Sequence, residues 1–115
     1  MDLRELCVGF AGAEETYPFG PLTTVFKVHG KIFAIAALEA DPQSISLKSE
    51  PELALQLRAD HAAITPGYHL NKRHWNTVRL DGSVPEPLVR DMVEDSYDLV
   101  VEALPKRIRD DLGWP

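Results

Sequence analysis

Thr24-Val25-Phe26-Lys27-Val28-His29-Gly30-Lys31-Ile32-Phe33-Ala34-Ile35-Ala36-Ala37-Leu38 decides the fold. Two β-prone runs, Thr24 to Val28 and Lys31 to Leu38, flank His29-Gly30. A two-residue turn ending in glycine between such runs specifies a hairpin. Within the first run Phe26 and Val28 share one face and Lys27 takes the other, because side chains alternate along a strand. Asp41-Pro42 breaks the chain. Ser44-Ile45-Ser46-Leu47-Lys48 then alternates strictly, which points Ile45 and Leu47 inward and Ser44, Ser46 and Lys48 into water. The result is three antiparallel strands with one wet face.

Helical patterns surround this unit. Asp2 is placed to cap a first helix reaching about Phe10, with Leu3, Leu6, Cys7 and Phe10 as its apolar stripe. Glu14 to Pro21 is turn-rich and reads as an ordered loop pinned by Tyr17 and Phe19. Ser49-Glu50-Pro51-Glu52 has the form of a capping box and predicts a helix to about Ala59 that buries Leu53, Ala54 and Leu57. Pro66-Gly67 is a turn, and 68–70 and 75–80 read as two short strands. Ser83-Val84-Pro85-Glu86 repeats the capping-box form and opens the longest helix, to about Leu104. Along it Leu88, Val89, Met92, Val93, Tyr97, Val100, Val101 and Leu104 keep a 3.6-residue period. Pro105 stops it, and Ile108 and Leu112 imply one more short helical piece. Without repeats or linkers, residues 1–115 read as one domain. The expected class is α+β: an antiparallel sheet of about five strands with helices on one face, in the order helix, three strands, helix, two strands, helix.

The charge is unevenly spread. The formal net charge is −6, which argues against a general nucleic-acid binder. Yet residues 61–80 contain Lys72, Arg73 and Arg79 and no acid, while residues 81–115 carry nine acids against four bases. A restricted positive patch on a negative chain is a contact surface for an anion, and the natural large anion is nucleic acid. Lys72 and Arg73 suit phosphates, and Arg73 can present a forked pair of donors. His74 and Trp75 offer rings for stacking, and Asn71 and Asn76 offer the paired donor and acceptor that a base edge needs. Lys27 and Lys31 at the hairpin tip add two cations if the tip lies alongside. The structural alternative stays open: Tyr68 and Trp75 as core anchors, Asn71 and Asn76 as turn residues.

Other chemistries lack a pattern. The single Cys7 excludes an internal disulfide and sits on an apolar stripe, so a reduced, inert thiol in the cytoplasm is expected. His29, His61, His69 and His74 match no zinc spacing, and no metal site or cofactor is expected. Asp91, Glu94, Asp95, Asp98 and Glu102 read as the solvated side of the last long helix rather than an acid-base or iron site. No nucleophile elbow, phosphate loop or dinucleotide fingerprint occurs, so no catalytic residue is assigned and the chain does not read as an enzyme. No apolar run reaches membrane-span length, and the first five residues lack the layout of a secretion signal.

Several segments together resemble the MmcQ/YjbR family of small bacterial proteins. They are Tyr17-Pro18-Phe19-Gly20, Val25-Phe26-Lys27-Val28, Pro51-Glu52-Leu53-Ala54, Pro66 to Thr77, and Ser96-Tyr97-Asp98-Leu99-Val100. The stretch Gly67 to Thr77 is the specific one. The resemblance implies a frataxin-like (CyaY-like) α+β fold and DNA binding through a double wing of β-hairpins. The expectation is therefore a monomer that binds double-stranded DNA weakly and salt-dependently through Lys72, Arg73, His74 and Arg79, helped by Asn71, Asn76, Trp75, Lys27 and Lys31. The rival expectation is a non-enzymatic module whose Tyr17–Phe19 loop and Tyr68/Trp75 region line a groove for a protein or small-molecule partner.

Overall fold

The computed structural model describes residues 1–67 and 70–115. The elements run α1 (Leu3–Val8), β1 (Ala13–Thr16), β2 (Thr24–Val28), β3 (Lys31–Ala37), β4 (Ser44–Lys48), α2 (Pro51–Asp60), β5 (Ile64–Pro66), β6 (Trp75–Arg79), α3 (Glu86–Glu102) and α4 (Lys106–Asp111). The strands form one antiparallel sheet in the order β1-β2-β3-β4-β6-β5. The β2–β3 hairpin closes as expected: His29 takes φ 47° and Gly30 φ 77°, both in the left-handed region that a two-residue turn of this kind demands.

The sheet has six strands rather than about five. The extra one is β1, Ala13-Glu14-Glu15-Thr16, which pairs with β2 along the edge. Tyr17 and Phe19 do not pin the loop that follows, because Tyr17 is 43% and Phe19 66% exposed. The strand expected at 68–70 begins on Tyr68 and His69, which lie outside the described residues. The short strand in this region is β5, a few residues earlier, and it pairs with β6.

One face of the sheet carries the core. α3 lies across β2, β3 and β4, α1 packs on β1, and α2 packs on β5 and β6. Phe26, Val28, Ala34, Ala36, Ile45, Leu47 and Val78 meet Val89, Met92, Val93, Val100 and Val101 of α3 in one buried cluster. Ser96 fixes the docking angle. Its hydroxyl donates to the Phe33 carbonyl at 2.6 Å and accepts the Lys48 amide at 2.9 Å, tying α3 to two strands. Tyr97 stacks on Phe10, with ring centroids 4.7 Å apart, and its hydroxyl donates to the Ala11 carbonyl at 2.6 Å. The opposite face is largely open, although Val25 on it is fully buried, and there the alternation also puts Lys27 of β2, Ser44, Ser46 and Lys48 of β4, and Trp75, Thr77 and Arg79 of β6.

Helix starts differ from expectation in an instructive way. Asp2 does cap α1, its carboxylate accepting the Glu5 amide at 3.1 Å. Neither capping box forms. α2 is capped by Glu50 and α3 by Pro85, both without a side-chain bond. Ser49 is buried and its amide donates to the His74 carbonyl at 2.7 Å. Ser83 turns to Asp81, donating from its amide at 2.9 Å and its hydroxyl at 2.6 Å. On α2, Ala54 and Leu57 are buried, whereas Leu53 is 40% exposed.

Candidate functional site

The cation-rich turn is built by the loop between β5 and β6. The Gly67 amide donates to the Trp75 carbonyl at 2.8 Å, and the Trp75 amide donates to the Asn71 carbonyl at 2.9 Å, so the loop closes on itself. Gly67 is required by close approach. A Cβ there would lie 2.9 Å from the Trp75 Cβ and 3.2 Å from the Leu70 Cβ. The Asn71 carboxamide oxygen accepts the Arg73 amide at 2.9 Å, a local turn that leaves the Arg73 side chain facing water. Lys72 is also exposed, but its ammonium donates to the Gly67 carbonyl at 3.1 Å, so its charge is held in place over the loop.

Strand register settles which cations share a location. Val28 pairs with Lys31 at the hairpin tip, Ala34 with Leu47, and Lys48 with Trp75. The β2–β3 tip, the end of β4 and the start of β6 therefore lie at one end of the sheet. Adjacent strands are about 4.8 Å apart, which separates the two turns by roughly 10–15 Å. Lys27, Lys31, Lys72 and Arg73 fall on these two turns. Lys48 stands between them, directly opposite Trp75. Its outward direction is plain in the Ser44–Lys48 alternation, but only the pairing of β4 with β6 shows that it joins the turn. Among the described residues the ion pairs are Arg4–Glu15, Arg90–Glu86 and Lys106–Asp110, none of which engages these five cations.

Other expected members do not join them. Asn76 cannot read a base edge: it is fully buried on the core face of β6, and its amide donates to the Ala54 carbonyl of α2 at 3.1 Å. Its carboxamide oxygen is buried with no hydrogen-bond partner among the described residues. Trp75 and His74 are half-buried, so neither presents a fully free ring. Arg79 is exposed, but at the far end of β6, four residues or about 13 Å from Trp75. There it lines a cleft of about 670 Å³ with Pro42, Ser44, Thr65, Thr77, Asp81 and Ser83. The two Ser83 hydrogen bonds, with a smaller contribution from the Arg79 charge, hold the Asp81 carboxyl below its usual range.

Glu14 of β1 stands opposite Lys27 in the register, while the α3 acids sit elsewhere. Asp95, Asp98 and Glu102 of α3 line a groove with Glu50, Leu53 and Leu99 on the helical side of the sheet. Partial burial, then neighbouring like charges, push the carboxyls of Asp95 and Asp98 above their usual range. Among the described residues no three His, Cys, Asp or Glu side chains are grouped to hold a metal ion. Cys7 is fully buried, and that burial pushes its thiol up to about 12. Of the rival groove's expected parts, Tyr17 lines a concavity with Arg4, Pro21, Leu22, Thr24 and Glu39, but Trp75 lies apart from it. Tyr17 follows β1 at the Thr24 end of β2, opposite to the hairpin tip, whereas Trp75 starts β6 at the tip end. Tyr68 lies outside the described residues. Among those residues no helix is long and apolar enough to cross a membrane.

A single antiparallel sheet with helices on one face and an open face bearing cationic turns defines a small α+β module. The sequence matches the YjbR family model over residues 8–99, so the chain belongs to the YjbR family. It is 38% identical over 108 residues to the uncharacterized protein YjbR of Escherichia coli K12, spanning 94% of this chain and 92% of that one. It is 39% identical over 104 residues to the uncharacterized protein YbdF of Escherichia coli O157:H7, spanning 90% and 85%. Among solved structures it is similar to Deinococcus radiodurans protein DR2400, of the DUF419 domain family. The TM-score is 0.93 and the identity 42%, covering 99% of this chain and 87% of that one. A Pseudomonas syringae protein superposes with a TM-score of 0.70 at 28% identity, covering 86% of this chain and 98% of that one.

Proposed function

We propose that this chain is a non-enzymatic, monomeric protein of the cytoplasm that binds duplex DNA weakly through the two turns at one end of its sheet. The register carries this reading. It brings Lys27, Lys31, Lys48, Lys72 and Arg73 to one end of the sheet, and none is in an ion pair among the described residues, although Glu14 of β1 stands opposite Lys27. The roughly 10–15 Å between the turns is close to the width of a major groove, about 12 Å, so each turn meets the phosphates on one side of it. The α3 carboxylates occupy the helical side, which keeps their repulsion off the contact. Asn71 shapes the turn, and the half-buried Trp75 lies at the centre, opposite Lys48.

Three to five phosphate contacts give a slope of log affinity against log salt of about −3 to −4.5. Anisotropy of a labelled duplex, read at several salt concentrations, tests this. Wild type binds at low salt with that slope. Lys72→Ala/Arg73→Ala binds more weakly, with the slope reduced by about 2. Absence of binding at low salt, or equal binding by both proteins, rejects the proposal.

A further inference from the structure

We infer that the cleft around Arg79, at the opposite end of the sheet from the cationic turns, is a separate binding site for a small phosphomonoester that also carries hydroxyl groups. The cleft holds about 670 Å³, a volume suited to a compact metabolite. Its floor is the open face of the sheet. Register sets Ser44 opposite Arg79 and Thr65 opposite Thr77, which ranges three hydroxyls around one guanidinium. The wall is the chain after β6, with Asp81 and Ser83.

Each part has a defined chemistry. The Arg79 side chain is exposed and forms none of the ion pairs among the described residues, so its fork of donors is free for a phosphate. Its backbone is fixed by the amide bond to the Ala63 carbonyl at 2.9 Å, and the next residue by the Leu80 amide bond to the Gln43 carbonyl at 2.8 Å. The guanidinium therefore projects from a rigid strand end. Hydroxyls of Ser44 and Thr65 can donate to phosphate oxygens beside it. The Thr77 hydroxyl is shared with Ser46 at 2.7 Å and helps hold the floor. Asp81 supplies the second requirement. Ser83 occupies one carboxylate oxygen, Oδ1, from both its amide and its hydroxyl. The other oxygen is left to accept hydroxyl groups of the ligand. A bare inorganic anion gains from Arg79 but is repelled by Asp81, whereas a sugar phosphate satisfies both groups. That contrast sets the ligand class.

Ribose 5-phosphate is the probe, with ribose and inorganic phosphate as comparisons, and amide chemical shifts of the full chain are the readout. Ribose 5-phosphate shifts the amides of Ser44, Thr65 and residues 77–83 saturably, at least about tenfold more tightly than either comparison. Arg79→Gln weakens it by about tenfold, while Arg79→Lys retains an intermediate affinity because it keeps the charge and loses the fork. Lys72→Ala/Arg73→Ala leaves ribose 5-phosphate binding unchanged, and Arg79→Gln leaves duplex binding unchanged, so the two sites fail or stand separately. Lack of saturation, shifts elsewhere on the chain, equal binding of inorganic phosphate, or an Arg79→Gln protein that binds like wild type overturns the inference. An unchanged amide spectrum outside the cleft verifies that each variant is folded.

Discussion

Asn76 shows how one position on a strand decides between reading a base and holding a fold. It follows Trp75 by one residue, so it falls on the other face of β6 and is sealed under α2. Its amide bond to the Ala54 carbonyl latches that helix to the sheet. Replacing it by alanine removes the latch and opens a small void, and Asn76→Ala is expected to lose about 2 kcal/mol in urea unfolding. Gly67 is a second such residue. A methyl group there meets the Trp75 Cβ at 2.9 Å, inside any tolerable contact, and neither Trp75 nor Leu70 can withdraw without opening the loop. Gly67→Ala is expected to cost about 1–3 kcal/mol by thermal or urea unfolding and to shift the amides of residues 70–75.

At the scale of elements, the long periodic pieces were legible and the short ones were not. The α3 stripe, the β2–β3 hairpin and the alternation of β4 each repeat a period several times, and repetition makes the pattern independent of any single residue. β1 has no such support. Ala13-Glu14-Glu15-Thr16 has weak β preference and becomes a strand only because β2 offers it an edge. The serines at 49 and 83 have the sequence of helix caps, but each found a competing partner, His74 for one and Asp81 for the other. Such partners come from distant or looped chain and leave no local mark. The cationic turn was visible as composition, whereas its companionship with Lys48, and its separation from Arg79, follow from strand order alone. The acidic side of α3 has its own consequence. Partial burial, then Glu94, Asp95 and Glu102, raise the Asp98 carboxyl, and Glu50 also lines the groove. A carboxyl raised on folding is bound to more proton in the native state, so its penalty is absent below the ordinary carboxylate range and grows as pH rises through the raised value. Asp98→Asn is therefore expected to stabilise the protein by about 0.5 kcal/mol at pH 7. The gain should vanish in unfolding curves near pH 3.

At the scale of the whole molecule, the two faces of the sheet differ in charge. The helical face carries the carboxylates of α3 and the sealed core. The open face carries cations at both ends, with Glu14 opposite Lys27 and Asp81 beside the Arg79 cleft, and a strip of hydroxyls between them. Two ends about 13 Å apart on one rigid sheet need not communicate. The salt dependence set out for the turns and the phosphate binding set out for the cleft are expected to respond to different substitutions. This arrangement reconciles a chain of net charge −6 with an anion-binding reading, because what an approaching polyanion meets first is the local field of one edge.

The outer strands of the sheet bear on a different hazard. β1 has four residues and exposes the carboxylates of Glu14 and Glu15 in part, and β5 has three and ends on Pro66, which has no amide hydrogen to donate. A neighbouring polypeptide seeking to extend the ladder would find repulsion at one margin and a missing donor at the other. Both margins thus disfavour the zipping of crowded copies into fibrils, even though much of one side of the sheet stays uncovered.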